Sequence, residues 1–277
     1  MNKLLNEDEI KKLELKLFLD ALYKIYGINF KNNSKASVSR RLNNLLIKYH
    51  KKTISELIPL LMFTPNFHEE VIQNITVQCS SLFRDPLFFL KLKKKVFPYL
   101  KTFSHVDIWI AGCANGEEVY SLLILLKEAN LLEKTRIYAT DISKVALLNA
   151  SSGVLQYGVN KEDIDNYNKS GGKYSLSDYF VVAYEKFKLK DELLSHVVFE
   201  EHNLAQDGPF VSAQLVLCRN VMIYFDKELQ ERVVELIDSS LIPKGYFGIG
   251  MQESLDFIRS AKNFHQIKNK ISIYKKE

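Results

Sequence analysis

The chain has 277 residues, of which 47% are apolar and 26% charged, and a net charge of +5, the composition of an ordinary globular protein with one large or two modest domains. No apolar run reaches the ~20 residues of a membrane span, and the charged start MNKLLNEDEIKK does not read as a secretory signal. Three scattered cysteines without a C-x-x-C pair, and six histidines without H-x-x-x-H spacing, argue against a disulfide framework or a metal site, so a cytoplasmic protein with reduced thiols, no metal and no membrane insertion is expected.

The first hundred residues read as helical. Leu4, Leu5, Ile10, Leu13, Leu17 and Leu22 recur at helical spacing until Gly27. A second helix is predicted from Ser34–Ser37 past Tyr49, with Val38, Leu42, Leu45, Leu46 and Tyr49 on one face. Between Lys31 and Lys52 stand seven Lys or Arg and no acid, a local charge of +7; the default for such a run is a solvated helix face. Pro59 and Pro65 punctuate further short helices. Pro86 suits the first helical position after Asp85 as N-cap, opening a connecting helix over Pro86 to Leu100.

From His105 strand-like and helical runs alternate: VDIWIA, a helix from Glu117 to Ala129, RIYAT, a helix from Ser143 to Ala150, then HVVFEEHNL, QLVLCRN, a helix from Lys227 to Ser240, GYFGIG and KISIYK. This predicts an α/β fold, a mostly parallel sheet with helices on both faces, closed by an antiparallel edge hairpin within Pro243 to Tyr274. Ser151 to Ser195, with four glycines and the run YFVVAY, is too long for a simple crossover and reads as a small antiparallel insertion of about three strands. The expected domains are a helical one over 1–85, a linker helix over 86–104, and an α/β domain over 105–277 with a β-subdomain inserted at about 151–195.

The most informative stretch is VDIWIAGCANGEE, Val106 to Glu118. An apolar strand ends at Gly112, a small-residue turn follows, and two acids open a helix, the layout of a nucleotide-type cradle. Glu117 and Glu118 would repel a phosphate; a cationic, hydroxyl-bearing nucleoside such as S-adenosylmethionine fits. Asp141 closes the next strand, 25 residues after Gly116, where such folds bind ribose hydroxyls; equally, Asp141 or Ser143 could serve as an N-cap. A dinucleotide G-x-G-x-x-G and a Walker-type GK[ST] are absent.

AGCANGEEVYS (111–121), ATDIS (139–143), HNL (202–204) and LCRNVMIYFD (217–226), with SSLFRDPLFF (80–89) ahead of them, resemble the CheR family of chemotaxis receptor methyltransferases. The resemblance implies a Rossmann-like S-adenosylmethionine-dependent methyltransferase fold with a small all-α N-terminal domain and an inserted antiparallel β-subdomain. Its activity would be methylation of glutamate side chains on chemotaxis receptors, with S-adenosylhomocysteine as product and the cytoplasmic helical domain of the receptor as partner, not nucleic acid. Carried over motif by motif, it implies a cofactor site of Gln78, Ser80, Arg84, Gly112, Glu118, Asp141, Asn203, Leu204, Asn220 and Val221. Arg84 and Tyr224 would act at the reacting centre, and Arg40, Arg41, Lys48 and Lys51 would face the receptor.

The family's T-N-x-T element reads Val77, Gln78, Cys79 and Ser80 here, and Leu82 replaces a Phe. That departure motivates an alternative: a cofactor-binding regulator of the same fold with weak or lost activity. A nucleic-acid methyltransferase is a third reading, opposed by the absence of an N-P-P-[YF] element and by confinement of the positive charge to one segment.

Overall fold

The computed structural model describes residues 6–76, 80–183, 186–267 and 272–277. The chain forms two compact units, Met1–Val77 with Tyr224–Gln230, and Gln78–Ile223 with Glu231–Glu277.

The first unit is helical: α1 (Glu7–Tyr26), α2 (Lys35–Lys48), α3 (Ile58–Phe63) and α4 (Phe67–Ile75). Asn6 and Glu9 close a capping box on α1, and Gly27 ends it at φ 72, a left-handed cap that glycine adopts without strain. The buried face of α1 is Leu15, Phe18, Leu19 and Leu22. Of the stripe read from the sequence only Leu22 lies on that face: Ile10, Leu13 and Leu17 are 43–47% exposed, and Leu4 and Leu5 lie outside the described residues. Helix α1 carries two apolar stripes, and periodicity alone does not say which turns inward. Helix α2 buries Val38, Leu42 and Leu45 as expected, with Leu46 and Tyr49 half-buried.

The second unit begins with α5 (Pro86–Lys95) and α6 (Phe97–Leu100). The single helix expected over Pro86 to Leu100 is interrupted at Val96, because Pro98 has no amide hydrogen and its ring crowds the carbonyl one turn back. Asp85 occupies the N-cap position, but it is left-handed at φ 59 and its side chain does not cap.

Then follow β1 (Val106–Ala111), α7 (Glu117–Glu128), β2 (Thr135–Asp141), α8 (Lys144–Ser152), β3 (Val154–Leu155), α9 (Lys161–Lys169), β4 (Phe180–Ala183), β5 (Lys186–Leu189), α10 (Asp191–Leu194), β6 (Val197–Glu201), β7 (Ala213–Cys218), α11 (Lys227–Ser240), β8 (Leu241–Ile249), β9 (Phe264–Gln266) and β10 (Ile273–Lys276). The main sheet runs β6-β2-β1-β7-β8-β10-β9. The first five strands are parallel, and β10 pairs antiparallel with both β8 and β9, the edge hairpin that the C-terminal pattern predicted. Strand β7 is buried throughout and β1 nearly so, as central parallel strands are. The chain steps from β1 outward to β2 and β6, then returns to the other side of β1 as β7. This reversal opens a crevice at the carboxyl ends of β1 and β7, where ligands bind in sheets of this type.

The segment that broke the alternation forms a second sheet, β3-β5-β4, antiparallel throughout, together with a helix, α9, that the pattern did not reveal. Its anchor is polar. Glu128, the last residue of α7 and fully buried at its side chain, accepts from Tyr167 (2.5 Å), Tyr179 (3.0 Å) and the backbone of Lys173 (3.1 Å), and pairs with Lys93 of α5 (3.3 Å).

Candidate active site

After β1 the chain turns through three left-handed residues, Gly112 (φ 78), Ala114 (φ 48) and Gly116 (φ 98). The amides of Gly112 and Cys113 both donate to the Thr140 carbonyl, at 2.8 and 2.9 Å, which joins this loop to the end of β2. A Cβ at Gly112 would stand 2.5 Å from Val221, and one at Gly116 would stand 2.8 Å from the Tyr120 ring. Both glycines are therefore required by conformation and by space.

Asp141, 8% exposed, accepts from the amide of Ala114 through Oδ2 (2.9 Å) and from that of Ser143 through Oδ1 (3.0 Å). The N-cap of α8 is Ser143, whose hydroxyl accepts from Ala146, so Asp141 does not serve as that cap. The His202 amide donates to the Asp141 carbonyl (3.2 Å), bringing the segment after β6 to the same place. There Leu204 is buried, while the Asn203 side chain holds its own turn, accepting from Ala205 and donating to Gln206.

Two carboxylates open α7. Glu117 is 7% exposed, and its Oε2 is buried with no hydrogen-bond partner among the described residues. Burial, with the charge of Asp163 added, raises its pKa to about 6. Glu118 accepts through Oε2 from Arg219 Nη1 at 2.5 Å; burial raises its carboxyl above the ordinary value, and the Arg219 charge opposes that rise.

Arg84 stands between two left-handed non-glycine residues, Phe83 (φ 53) and Asp85 (φ 59). This turn is fastened by Phe83 N to Ser121 Oγ (2.8 Å) and Leu82 N to Asp163 Oδ1 (3.1 Å). The Arg84 side chain is half-buried, and no described residue forms a hydrogen bond or ion pair with its guanidinium. Beyond β7, Asn220 is left-handed at φ 60, and Val221 packs against Gly112. Glu253 holds this loop, accepting from the amides of Asn220 (2.8 Å), Ile223 (3.1 Å) and Gly250 (2.6 Å).

Gly112, Glu118, Asp141, Asn220 and Val221 therefore gather at the carboxyl ends of β1, β2 and β7, with Arg84 tied in through Arg219. Ser80 is half-buried ahead of the Arg84 turn, and Gln78 lies outside the described residues. Tyr224 belongs to the first unit, where its carbonyl accepts from Ser34 (2.8 Å) and its ring lies 5.7 Å from the Arg41 guanidinium. Arg40 is exposed, Arg41 and Lys51 are half-buried, and Lys48 is exposed but paired with Glu70 at 2.6 Å. Cys113 and Cys218 are buried and free, and burial pushes both thiols well above their usual range, against a nucleophilic role. Sequence reasoning assigned no role to Arg219 or Glu253. The first stands inside a quoted motif; the second has no local signal in GMQES.

Residues 78–273 match the CheR methyltransferase S-adenosylmethionine-binding domain, and residues 13–76 match the CheR methyltransferase all-alpha domain. The chain belongs to the CheR methyltransferase family. It is 38% identical over 264 residues to the protein named methyltransferase Cher3 of Pseudomonas putida, covering 95% of this chain and 97% of that protein. It is 32% identical over 276 residues to a chemotaxis protein methyltransferase of Borreliella burgdorferi, covering 93% of each. Among solved structures it is similar to the N-methyltransferase NodS of Bradyrhizobium japonicum in complex with S-adenosylhomocysteine, with 13% identity, a TM-score of 0.35, and coverage of 61% of this chain and 62% of that one. The cofactor of this family member is S-adenosylmethionine, and the residues fit it: an acid at the carboxyl end of β2, and two carboxyl side chains at the start of α7, where a phosphate-binding site would have none. Among the described residues no cluster of metal-ligating side chains occurs, and no helix is long and apolar enough to cross a membrane.

Proposed function

We propose that this chain methylates glutamate side chains on chemotaxis receptors, forming γ-methyl esters, and that it acts in the cytoplasm on the receptor's helical domain. The observation that carries the reading is the family match across both domains, with relatives named as chemotaxis protein methyltransferases. When bound, S-adenosylmethionine supplies a methyl group activated by a sulfonium. Asp141 would accept the ribose hydroxyls, and Gly112 and Val221 would let the backbone approach the nucleoside. Asn203, Leu204 and Asn220 would line the rest of the pocket, with Ser80 and Gln78 ahead of Arg84. Glu118 would hold the ammonium of the methionine end and Arg84 its carboxylate.

The chemistry asks little of the protein beyond alignment. A glutamate side chain, with an ordinary pKa of about 4.3, is already ionised at neutral pH, so its oxygen is the nucleophile and no general base is needed. Holding that oxygen in line with the transferring methyl, in a site from which water is excluded, can supply roughly 7–11 kcal/mol. On the first unit Arg40, Arg41, Lys48 and Lys51 would meet the acidic receptor helices. Arg40 is the most available of them, since Lys48 already pairs with Glu70 and Arg41 lies beside Tyr224.

The test is transfer of tritiated methyl groups from S-adenosylmethionine to receptor-containing membranes, scored as methanol released by base. Base-labile label on receptor glutamates is the expected result. Tight binding of S-adenosylhomocysteine by calorimetry without any such label would overturn the reading in favour of a cofactor-binding regulator.

A further inference from the structure

Arg219 is the first residue past β7, and its side chain is 1% exposed. Its guanidinium makes three hydrogen bonds to two separate parts of the site. Nη1 donates to Glu118 Oε2 at 2.5 Å, and Nη2 donates to Asp85 Oδ2 and to the Arg84 carbonyl, each at 3.0 Å. Its Cζ lies over the Phe88 ring, 4.1 Å from the centroid, and 5.2 Å from the centroid of Phe89, and its Nε is buried with no partner among the described residues. A planar fork stacked on aromatic rings can hold acceptors in fixed directions, which an ammonium on a flexible stem cannot.

The two parts it joins are the turn that presents Arg84 and the first turn of α7 that presents Glu118. The Arg84 turn is left-handed at both neighbours, Phe83 and Asp85, so it persists only where surroundings over-determine it. Arg219 supplies two of those constraints, one on the backbone and one on the Asp85 carboxylate. Its charge also opposes the rise that burial imposes on the Glu118 carboxyl, since a buried carboxylate without a paired cation takes up a proton more readily.

We infer that Arg219 is a positioning residue that couples Arg84 to Glu118, so that the two groups assigned to the carboxylate and the ammonium of the methionine end are set by one buried guanidinium rather than independently. This inference rests on the methyl-transfer reading for the roles of Arg84 and Glu118, but not for the coupling itself.

A double-mutant cycle tests it, read as calorimetric affinity for S-adenosylhomocysteine alongside the methyl-transfer assay. Arg219→Lys, which keeps the charge and loses the fork, should weaken S-adenosylhomocysteine about tenfold or more. In that background Arg84→Ala should cost far less than the roughly tenfold it costs in the otherwise unchanged chain. Asp85→Asn provides a second cycle at a half-buried position where refolding of the core is not at issue; it too should be non-additive with Arg84→Ala. Additive losses in both cycles, or wild-type affinity in Arg219→Lys, would overturn the inference. Were coupling seen in the binding cycles of a protein that labels no receptor, the substrate reading would fail and the positioning role would stand. Were labelling robust and both cycles additive, only the positioning role would fail.

Discussion

Glu117 offers the sharpest test of the electrostatics at the start of α7. Its carboxyl is 7% exposed with one oxygen lacking a partner, and its pKa is raised from 4.5 to about 6, chiefly by burial, with Asp163 adding to the rise and a backbone amide opposing it. Holding it ionised in the folded chain therefore costs about 2 kcal/mol relative to the unfolded chain. The sign follows from proton uptake. Between pH 4.5 and about 6 the folded state binds more proton than the unfolded state at this position. This group's contribution is thus most favourable below 4.5, declines as pH rises, and reaches its full penalty above about 6. Glu117→Gln has nearly the same shape and no charge to hold. In the absence of cofactor its urea stability relative to wild type should improve by about 2 kcal/mol on going from pH 4.5 to pH 7.5. A constant offset from any unpaired amide hydrogen would cancel in that difference. Carbon-13 NMR titration of the side-chain carboxyl provides the direct check, with a midpoint near 6. A stability gap that does not change with pH, together with a midpoint at the ordinary glutamate value, would refute the argument.

Three further outcomes are expected. Gly112→Ala places a Cβ 2.5 Å from Val221 at a φ of 78°; it should lose about 1–2 kcal/mol of stability and bind S-adenosylhomocysteine more weakly, and unchanged affinity in calorimetry would count against Gly112 and Val221 lining the site. Glu128→Ala leaves two tyrosine hydroxyls, one amide and Lys93 without their shared acceptor, so denaturant titration should show a loss of about 3 kcal/mol or more; a loss under about 1 kcal/mol would show that water or a side-chain shift replaces it. Arg40→Glu should reduce receptor labelling several-fold, most at low salt, while leaving S-adenosylhomocysteine affinity as it was; labelling equal to wild type would remove Arg40 from the receptor face.

Much of the α/β architecture was readable because parallel strands buried on both faces produce continuous apolar runs, such as VDIWIA and QLVLC, and because turns between them need particular residues. The tight turn at Gly112 and the strand end at Asp141 were legible for the same reason: each answers a backbone requirement written locally. The features that escaped depend on distance along the chain. Arg219 meets Glu118 across 101 positions and Asp85 across 134, and Glu253 meets Asn220 across 33. Spacing patterns carry no record of such encounters. Two misreadings have local causes. The face of α1 that turns inward was ambiguous because both stripes are apolar, and Asp85, which has the chemistry of an N-cap, is diverted by Arg219. Helix α9 was missed because its sequence, KEDIDNYNK, shows little apolar periodicity; it is held by an Asn160–Asp163 capping box and by Tyr167.

The fixing of the small sheet at Glu128 bears on how such modules can be exchanged between relatives. The fastening point sits on α7 and its counter-charge on α5, both outside the segment that carries β3, β4 and β5. A transplant of that segment alone would separate its tyrosines from their acceptor and seat them against whatever the recipient has there. Engineering or evolution that moves this piece must therefore carry an acid and a lysine with it, or land on a host that already presents both.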